Sequence, residues 1–449
     1  MVYQLLKVSR LNNAISIPRR YSVSKYIKEL YRRNLVANCY PSKILEEHEE
    51  KIIKLPACVY AGFDPTADSL HLGNLLVLLN LLRASQFGVK PIAIVGGATA
   101  LIGDPSGRDT ERDEAKIEEV FEQSKSIEQQ LYKISCNAPT VNAIPLRVMN
   151  NYEWFKDFSM IDYLRSCKSH RLGEMLRMGA IKNRMTDNSG ISFTEFSYQT
   201  MQAYDWYHLS KKEDCLFQIG GSDQLGHLDL GAHYINRNSN RFAAGICLPL
   251  LIDSSGKKLG KSAGAPIWLS PSRTSPFHFF QYFKQLHDTD AEKLFLQFSL
   301  LPYEEMITIV EKHNENLGKW IVQEALAKEM TVVVHGKEGL ERALSCTRAL
   351  FEGDIGEILM LEHNELLNIF GNTTKISVSL KNMGQLACAT RSDKQKGDIL
   401  MTRGAFKVNG KKFIEPDHII DFRSLILPKT NNLSLVCWGK RKFQLVEWI

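Results

Sequence analysis

The sequence has no uninterrupted apolar stretch of the ~18 residues that a membrane-spanning helix requires, because its greasiest segments are broken by Asn80, Arg83 or glycine. No membrane-embedded role is expected. It also has no Cys-x-x-Cys pair. Its nine cysteines (Cys39, Cys58, Cys136, Cys167, Cys215, Cys247, Cys346, Cys388 and Cys437) are odd in number, scattered, and without histidines clustered beside them. Neither a disulfide framework nor structural zinc is expected, and a reducing compartment such as cytosol or matrix fits. Internal repeats and low-complexity stretches are absent as well. What is there is 449 residues with 44% hydrophobic and 24% charged side chains. That is ample for large buried cores in two or three domains, and unlike a disordered, collagen-like or coiled-coil chain.

Acids are missing from one place in particular. Between Met1 and Lys28 there is no Asp or Glu, against six basic residues, Lys7, Arg10, Arg19, Arg20, Lys25 and Lys28. Leu5, Leu6, Val8, Leu11 and Ile15 share one helical face. An acid-free, Arg-containing amphipathic leader reads as a mitochondrial transit peptide over residues 1–28, with Arg19-Arg20-Tyr21-Ser22 as a processing region; a solvated basic arm has the same composition. Residues 371–449 hold 14 Lys or Arg against 6 acids, a net of +8. With +6 in the leader and +6 overall, the body between carries −8. The basic character belongs to the ends, as for a polyanion-binding appendage on an acidic body.

Along the body, Val23 to Lys54 has helical spacing. Cys58 to Phe63 is a short apolar strand that ends in the turn Asp64-Pro65-Thr66, and Leu70 to Phe87 is a very apolar helix closed by Gly88. Pro91 to Val95 and Pro145 to Asn150 read as further strands, with a charged helix from Thr110 to Ile134 between them. Residues 152–190 look like a mixed helical insertion. The aromatic-rich helix Phe193 to Leu209, the strand Leu216 to Ile219 and the strand Ile246 to Ile252 complete a second half. Strand, glycine turn, apolar helix, strand is the signature of a parallel βαβ unit. The expected fold is therefore α/β, a Rossmann-like doubly wound parallel sheet over residues 29–270. Helices follow at Pro276 to Leu286, Ala291 to Phe298 and Gly318 to Val334, making a helical domain at 271–370. A small basic α/β module with strands at Phe406 to Asn409 and Leu433 to Trp438 fills 371–449.

Three segments carry chemistry. Tyr60-Ala61-Gly62-Phe63-Asp64-Pro65-Thr66 leads from strand to helix through His71-Leu72-Gly73-Asn74. It puts an imidazole and first-turn amides together where they suit a phosphate, although a histidine there also serves as a plain cap. Phe217-Gln218-Ile219-Gly220-Gly221-Ser222-Asp223-Gln224 repeats the logic at another strand end, with glycines for close backbone approach and Asp223 to accept from a ribose hydroxyl. Gly256-Lys257-Lys258-Leu259-Gly260-Lys261-Ser262 is a glycine-flanked lysine loop able to neutralise charge on a departing pyrophosphate. Each alone also describes an ordinary surface turn.

Together, in order and spacing, they resemble the class I aminoacyl-tRNA synthetases, with His71 to Asn74 standing for the HIGH element and Lys258 to Ser262 for KMSKS. Tyr60 to Leu70, Val95 to Gly107, Gly190 to Asp205 and Gln218 to Gln224 look like the signatures of the bacterial-type tyrosyl-tRNA synthetases. That resemblance implies activation of tyrosine by ATP, transfer to tRNA(Tyr), and, with the leader, the mitochondrial matrix. It implies that Tyr60 and Asp205 read the phenol hydroxyl, that Asp104, Tyr198 and Gln202 hold the amino group, and that Gln218 and Gln224 complete the tyrosine site. Tyr198, Gln202 and Asp205 are spaced i, i+4, i+7 and so share a helix face. It implies Gly62, Asp64, Gly73, Gly221 and Asp223 around ATP, and Thr66, His71 and Asn74 at its phosphates. Arg108, Arg112, Lys258 and Lys261 would aid pyrophosphate departure. Magnesium is expected to arrive with ATP, without a protein cage, and no tightly bound cofactor or structural metal is expected.

The sequence departs from the family pattern at Asn74, in place of the second histidine of HIGH, at Ala61, where relatives often have a ribose-contacting cysteine, and at Val77, where some have threonine. Asn74 still offers a hydrogen-bond donor. A tryptophanyl relative is the nearest rival, and a group I intron splicing cofactor derived from the synthetase is a rival of another class. A homodimer is expected from the family, with Trp154, Phe155, Phe158, Met175, Leu176 and Met178 as an apolar face; a monomer core fits the same residues. The tail resembles the S-four-type RNA-binding module, with Lys440, Arg441 and Lys442 as phosphate contacts.

Deleting the tail from residue 377 should leave amino-acid activation intact, weaken tRNA charging, and flatten the salt dependence of tRNA binding by about 0.7–0.9 in log–log slope for each phosphate no longer neutralised. Lys440→Ala and Arg441→Ala should act in the same direction, less strongly. Unchanged charging at every salt concentration would exclude the tail as the tRNA-binding element.

Overall fold

A computed structural model describes residues 22–106, 116–138, 144–186, 190–254, 256, 259–262, 265–351, 356–370, 373–391, 397–439 and 442–449. Its centre is a six-stranded sheet: β1 (Asn38–Tyr40), β2 (Cys58–Phe63), β3 (Lys90–Val95), β4 (Arg147–Asn150), β5 (Phe217–Gly220) and β6 (Ala244–Cys247), in the order β1-β6-β5-β2-β3-β4. Strands β2 to β6 run parallel, and β1 closes the edge antiparallel to β6. Burial on both faces explains the unbroken apolar run of β2. Val59, Ala61 and Phe63 pack into one core, while Cys58 and Tyr60 point the other way into a second. The chain moves outward from β2 to β4 and then returns beside β2 as β5. Strand order therefore reverses between β2 and β5, and a crevice opens at their carboxyl ends.

The helix Leu72–Gln86 crosses over the sheet and is apolar almost all round because nearly all of it is buried. It stops where Gly88 takes φ 69°. The expectation of one helix over Val23 to Lys54 needs correction. The chain forms the helices Val23–Arg32 and Glu49–Ile53 with β1 between them, because Asn34 turns into the left-handed region and the following residues pair with the edge of the sheet. Val23, Tyr26 and Ile27 are core residues, so the boundary expected at residue 28 falls inside a folded helix; Met1 to Tyr21 lie outside the described residues. The last parallel strand is Ala244–Cys247, earlier than expected. The helices Leu225–Ser239 and Tyr303–Glu315 went unread.

The expected apolar face of the insertion also needs correction. Trp154 bonds to Asp205, Phe155 and Phe158 pack on the Tyr204 ring, and Met175 is buried. The exposed apolar side chains there are Met160, Ile161, Leu164, Leu172, Met185 and Phe193.

The helical region continues the sheet's own core, since Phe279, Phe283, Leu294, Phe295 and Met330 pack in one cluster with Val59 and Leu79. Within it, the helix Asp288–Phe298 is held at both ends. Its N-terminal half holds the stem of the lysine loop, with Asp290 accepting from the Ser254 amide (2.9 Å) and Lys293 donating to the Ile252 carbonyl (3.0 Å). Its C-terminal carbonyls, which no intrahelical partner can satisfy, accept from two buried guanidiniums. Arg33 donates to the carbonyls of Ser299 and Leu301 (both 2.7 Å), and Arg83 to those of Gln297 and Ser299 (both 2.9 Å). Glu29 pairs with Arg33 at 2.5 Å. Burial, then the neighbouring Arg33 charge, lowers Arg83 to about 9, still protonated at neutral pH. Arg83 lies on the helix that starts beside His71, so this clamp ties that helix to the one bracing the lysine loop.

In the tail, five short strands in the order Lys411–Phe413, Phe406–Val408, Leu433–Trp438, Lys442–Trp448, Thr373–Ile376 form a separate sheet. Alternation assigns its faces. Val436, Trp438, Val446 and Trp448 pack on the helices Met383–Ala389 and Gly397–Thr402, while Leu433, Leu435 and Leu445 pack on Phe277, Leu350 and Phe370 of the helical region. Removing the tail would uncover that second face, so charge substitutions in the intact chain read its role more cleanly than truncation.

Arg83→Ala should destabilise the fold by about 3–5 kcal/mol, the usual consequence of breaking a buried charge network and leaving carbonyls unpaired. A urea midpoint unchanged from the parent would show that the clamp contributes nothing.

Candidate active site

A cavity of about 680 Å³ sits in the crevice between β2 and β5. Tyr60, Gly62, Asp64 and Thr66 reach it from the end of β2, and Gln218, Gly221, Asp223 and Gln224 from the end of β5. His71, Gly73 and Asn74 come from the start of the crossover helix, Asp104 from the loop after β3, and Tyr198, Gln202 and Asp205 from one face of the helix Phe193–Lys212. Among the described residues, every site residue read from the sequence lines this one cavity, apart from Lys261 and Lys442. Lys261 is described by its backbone only, in a two-residue strand paired with Ala265–Pro266. Lys442 is the exposed first residue of the tail strand Lys442–Trp448. Arg108, Arg112, Lys258, Lys440 and Arg441 lie outside the described residues.

The floor of the cavity is apolar with a few polar groups aimed inward. Tyr60 is 2% exposed beside the Trp206 ring, and its hydroxyl has no hydrogen-bond partner. Asp205, also buried, accepts from Trp154 Nε1 (2.8 Å) and Asn151 Nδ2 (3.1 Å). Burial pushes its carboxyl up to about 7 despite those two donors. The carbonyl oxygens of Gln202 and Gln218 are buried and unpartnered too. Buried polar groups normally find partners, so this set marks a place built for a ligand with hydroxyl or amino groups. Asn151 went unread in the sequence and Trp154 was read only as part of an apolar face; the available signal was their position just beyond a parallel strand's carboxyl end, where ligands collect.

Towards the mouth, carboxylates dominate. Asp64 accepts from the Tyr198 hydroxyl (2.7 Å) and the Thr99 hydroxyl (2.8 Å), so Tyr198 faces Asp64 in this structure. Asp104 accepts from the Ser106 amide (2.8 Å) and from Gln224 Nε2 (3.0 Å), with His227 Nε2 at 3.4 Å. Gln224 in turn accepts from Gln202 (3.0 Å). Burial works against the charge on Asp104, yet His227, Ser106 and Gln224 outweigh it and hold the carboxyl at about 2. His227 is another residue the sequence did not announce.

At the crossover helix, the shared role expected of imidazole and amides needs correction. His71 Nδ1 itself accepts from the amides of Gly73 (3.1 Å) and Asn74 (3.4 Å), while Asn74 Oδ1 accepts from the His71 amide (3.1 Å). This reciprocal cap occupies those amides. It also fixes the tautomer, since an accepting Nδ1 leaves the proton on Nε2. The groups of this cap suited to a phosphate are His71 Nε2–H and the side-chain Nδ2 of Asn74. A Cβ on Gly62 would meet nothing within 4 Å, leaving its backbone open to a ligand, whereas one on Gly96 would come within 1.9 Å of Asp64. The Gly260 amide donates to the Tyr282 hydroxyl (2.9 Å), which pins the far end of the lysine loop. Among the described residues no group of three His, Cys, Asp or Glu is disposed to hold a metal, and no helix is long and apolar enough to cross a membrane.

A strand-order reversal, a histidine-capped crossover helix and a loop stem pinned at Ser254 and Gly260 mark this crevice as the ligand site of an α/β fold. The family model described as tRNA synthetases class I (W and Y) matches residues 11–352, and the chain belongs to that family. Among curated relatives it is 35% identical to the mitochondrial tyrosine–tRNA ligase of Drosophila melanogaster, over 98% of this chain and 97% of that one. It is also 35% identical to the mitochondrial tyrosine–tRNA ligase of Homo sapiens, over 88% and 84%. The crystal structure of a C-terminally truncated mitochondrial tyrosyl-tRNA synthetase from Aspergillus nidulans superposes with a TM-score of 0.65 and 28% identity, covering 73% of this chain and 94% of that one.

Because Asp205 is raised to about 7 when folded, against about 3.9 when unfolded, the folded chain holds its proton between those values. Its contribution to stability is complete below pH ~4 and is lost as pH rises through ~7. Asp205→Asn should therefore gain on the parent from pH 4.5 to pH 8, by at most about 1.4 kcal/mol per pH unit. Parallel pH profiles of unfolding would contradict this environment for Asp205.

Proposed function

We propose that this chain is a tyrosine–tRNA ligase that forms tyrosyl-adenylate and pyrophosphate from tyrosine and ATP, then passes the tyrosyl group to the terminal adenosine of tRNA(Tyr). The observation that carries this is the cavity floor, where the partnerless Tyr60 hydroxyl and the buried Asp205 carboxyl lie in one pocket. A phenol can accept from the first and donate to the second. An indole has one donor and no acceptor, so it can meet Tyr60 or Asp205 but not both, which disfavours the tryptophanyl reading, and the ligase names of the relatives favour aminoacylation over the intron-splicing one.

With the phenol at the floor, the ammonium group falls towards Asp104 and Gln202 and the carboxylate towards the mouth. The carboxylate oxygen attacks the α-phosphorus of ATP, a phosphorus–oxygen bond forms, and the bond to the β-phosphate breaks as pyrophosphate leaves. A ribose hydroxyl of the tRNA's terminal adenosine then attacks the mixed anhydride, releasing AMP. No protein nucleophile is required, and catalysis is positioning plus charge stabilisation. His71 and Asn74 serve the phosphates with Thr66, while Arg108, Arg112, Lys258 and Lys261 neutralise the leaving pyrophosphate. Asp223, the open backbone at Gly62, and Gly221, whose missing side chain leaves room for the Asp223 carboxylate, serve the adenosine side. Magnesium comes with ATP, held by its phosphates. The exposed Met160, Ile161, Leu164 and Leu172 suit an isologous dimer face with a second copy of the chain. The helical region and the basic tail receive the tRNA, and the leader directs the chain to the mitochondrial matrix.

Pyrophosphate exchange across a panel of amino acids should proceed with tyrosine alone. Tyr60→Phe should loosen discrimination against phenylalanine, and Asp205→Ala should nearly abolish tyrosine binding, because each removes a partner of the phenol. Exchange with tryptophan instead, or with no amino acid, would sink the reading.

A further inference from the structure

We propose that His227 is a positioning residue for amino-acid binding, holding the Asp104 carboxylate in the orientation that receives the substrate's ammonium group. The proposal rests on Asp104 as the receptor of that ammonium group and adds the residue that makes it a fixed one.

Three contacts restrain that carboxylate, and they are not equivalent. The Ser106 amide lies two residues along the same loop, so it moves with Asp104 and cannot fix the loop against the sheet. Gln224 reaches across from the end of β5, but it lines the cavity, also bonds Gln202, and is itself exposed to any ligand that enters. His227 is different in kind. It sits on the helix Leu225–Ser239, is 4% exposed, and does not line the cavity, so no ligand displaces it. Its Nε2 touches both parts of the loop, Ser106 Oγ at 2.8 Å and Asp104 Oδ1 at 3.4 Å. An ionised carboxylate only accepts, so Nε2 is the nitrogen that carries a proton towards it, while Nδ1 is buried without a partner. The Tyr198 ring packs edge-on against the imidazole at 5.6 Å and limits its rotation. One ring thus ties the Asp104–Ser106 loop to a helix packed on the sheet, from behind the pocket. A carboxylate held this way does not have to be ordered when the ammonium arrives, which favours binding.

The test is equilibrium binding, without ATP, of tyrosine, of tyramine, which keeps the amine and lacks the carboxylate, and of hydroxyphenylpropionate, which keeps the carboxylate and lacks the amine. In folded His227→Ala, tyrosine and tyramine should each bind about tenfold more weakly, the ordinary effect of losing a hydrogen bond to a charged group. Hydroxyphenylpropionate should bind as it does to the parent. His227→Gln, whose side-chain amide reaches the position of Nε2 and can still donate to Asp104, should restore most of the loss. Ser106→Ala, which leaves the imidazole in place, should show the same selectivity to a smaller degree and carries the test if His227→Ala does not fold. Equal weakening of all three ligands would make His227 a structural residue and overturn the proposal, as would unchanged binding of all three. Asp104→Asn separates the two layers. If it leaves tyramine binding intact, the reading of Asp104 fails and the proposal with it; if it weakens tyramine while the His227 and Ser106 variants do not, the proposal alone fails.

Discussion

Everything at this site depends on the reversal of strand order between β2 and β5. Successive parallel strands are joined by crossovers that cover the sheet, but where the winding changes direction two neighbouring carboxyl ends are left with no chain passing between them. The cavity is that gap. The chemistry around it is supplied by whatever sequence follows each strand: the His71 cap after β2, the Asp104 loop after β3, Asn151 and Trp154 after β4, and Gln224 after β5. Side chains far apart in sequence meet because the topology brings their strand ends to one edge.

The same gap is where the molecule tolerates poor local energetics. Tyr60, Gln202 and Gln218 each bury a polar atom with no partner, and Asp64, Asp104, Asp205 and Asp223 bring four carboxyl groups to one cavity. Unpartnered buried atoms and crowded like charges are unfavourable for folding, and a binding pocket is where such groups find their complement in a ligand. The cores on either side, filled by leucine, isoleucine and phenylalanine, and the paired Arg33 and Arg83 at the helix end supply the stability against which this is set.

Much of this was legible in the sequence. Strands buried on both faces are short, unbroken apolar runs, and glycine turns followed by long apolar helices announce parallel crossovers, so β2, β3, β5 and the helix after His71 could be read directly. The residues on and beside them, Tyr60, His71 and Gln224 among them, and Asp205 on the helix Phe193–Lys212 form motifs whose spacing survives without coordinates. What could not be read was set by tertiary contact. Strand β1 is three residues long and exists because the edge of β6 is there to pair with it. The occupation of the Gly73 and Asn74 amides by His71 is a matter of rotamer, which spacing does not encode. Arg83, inside an apolar helix, read as an interruption of a greasy segment; its partners are carbonyls more than two hundred residues away. His227 gave no signal because its role is exercised from behind the pocket.

The tail sheet bears on how the chain reaches its native state. Its strand Thr373–Ile376 pairs parallel with Lys442–Trp448, and Leu445 of that late strand also covers Phe277 and Leu350 of the helical region. During synthesis, or during passage through a translocation pore in the same direction, residues 373–376 emerge long before the strand they need. Until residues 442–448 are free, the tail sheet lacks that pairing and the helical region keeps an apolar face uncovered. Completion of this sheet therefore waits on residues 442–448, and the interval before they emerge is the one in which a chaperone would find the most to hold.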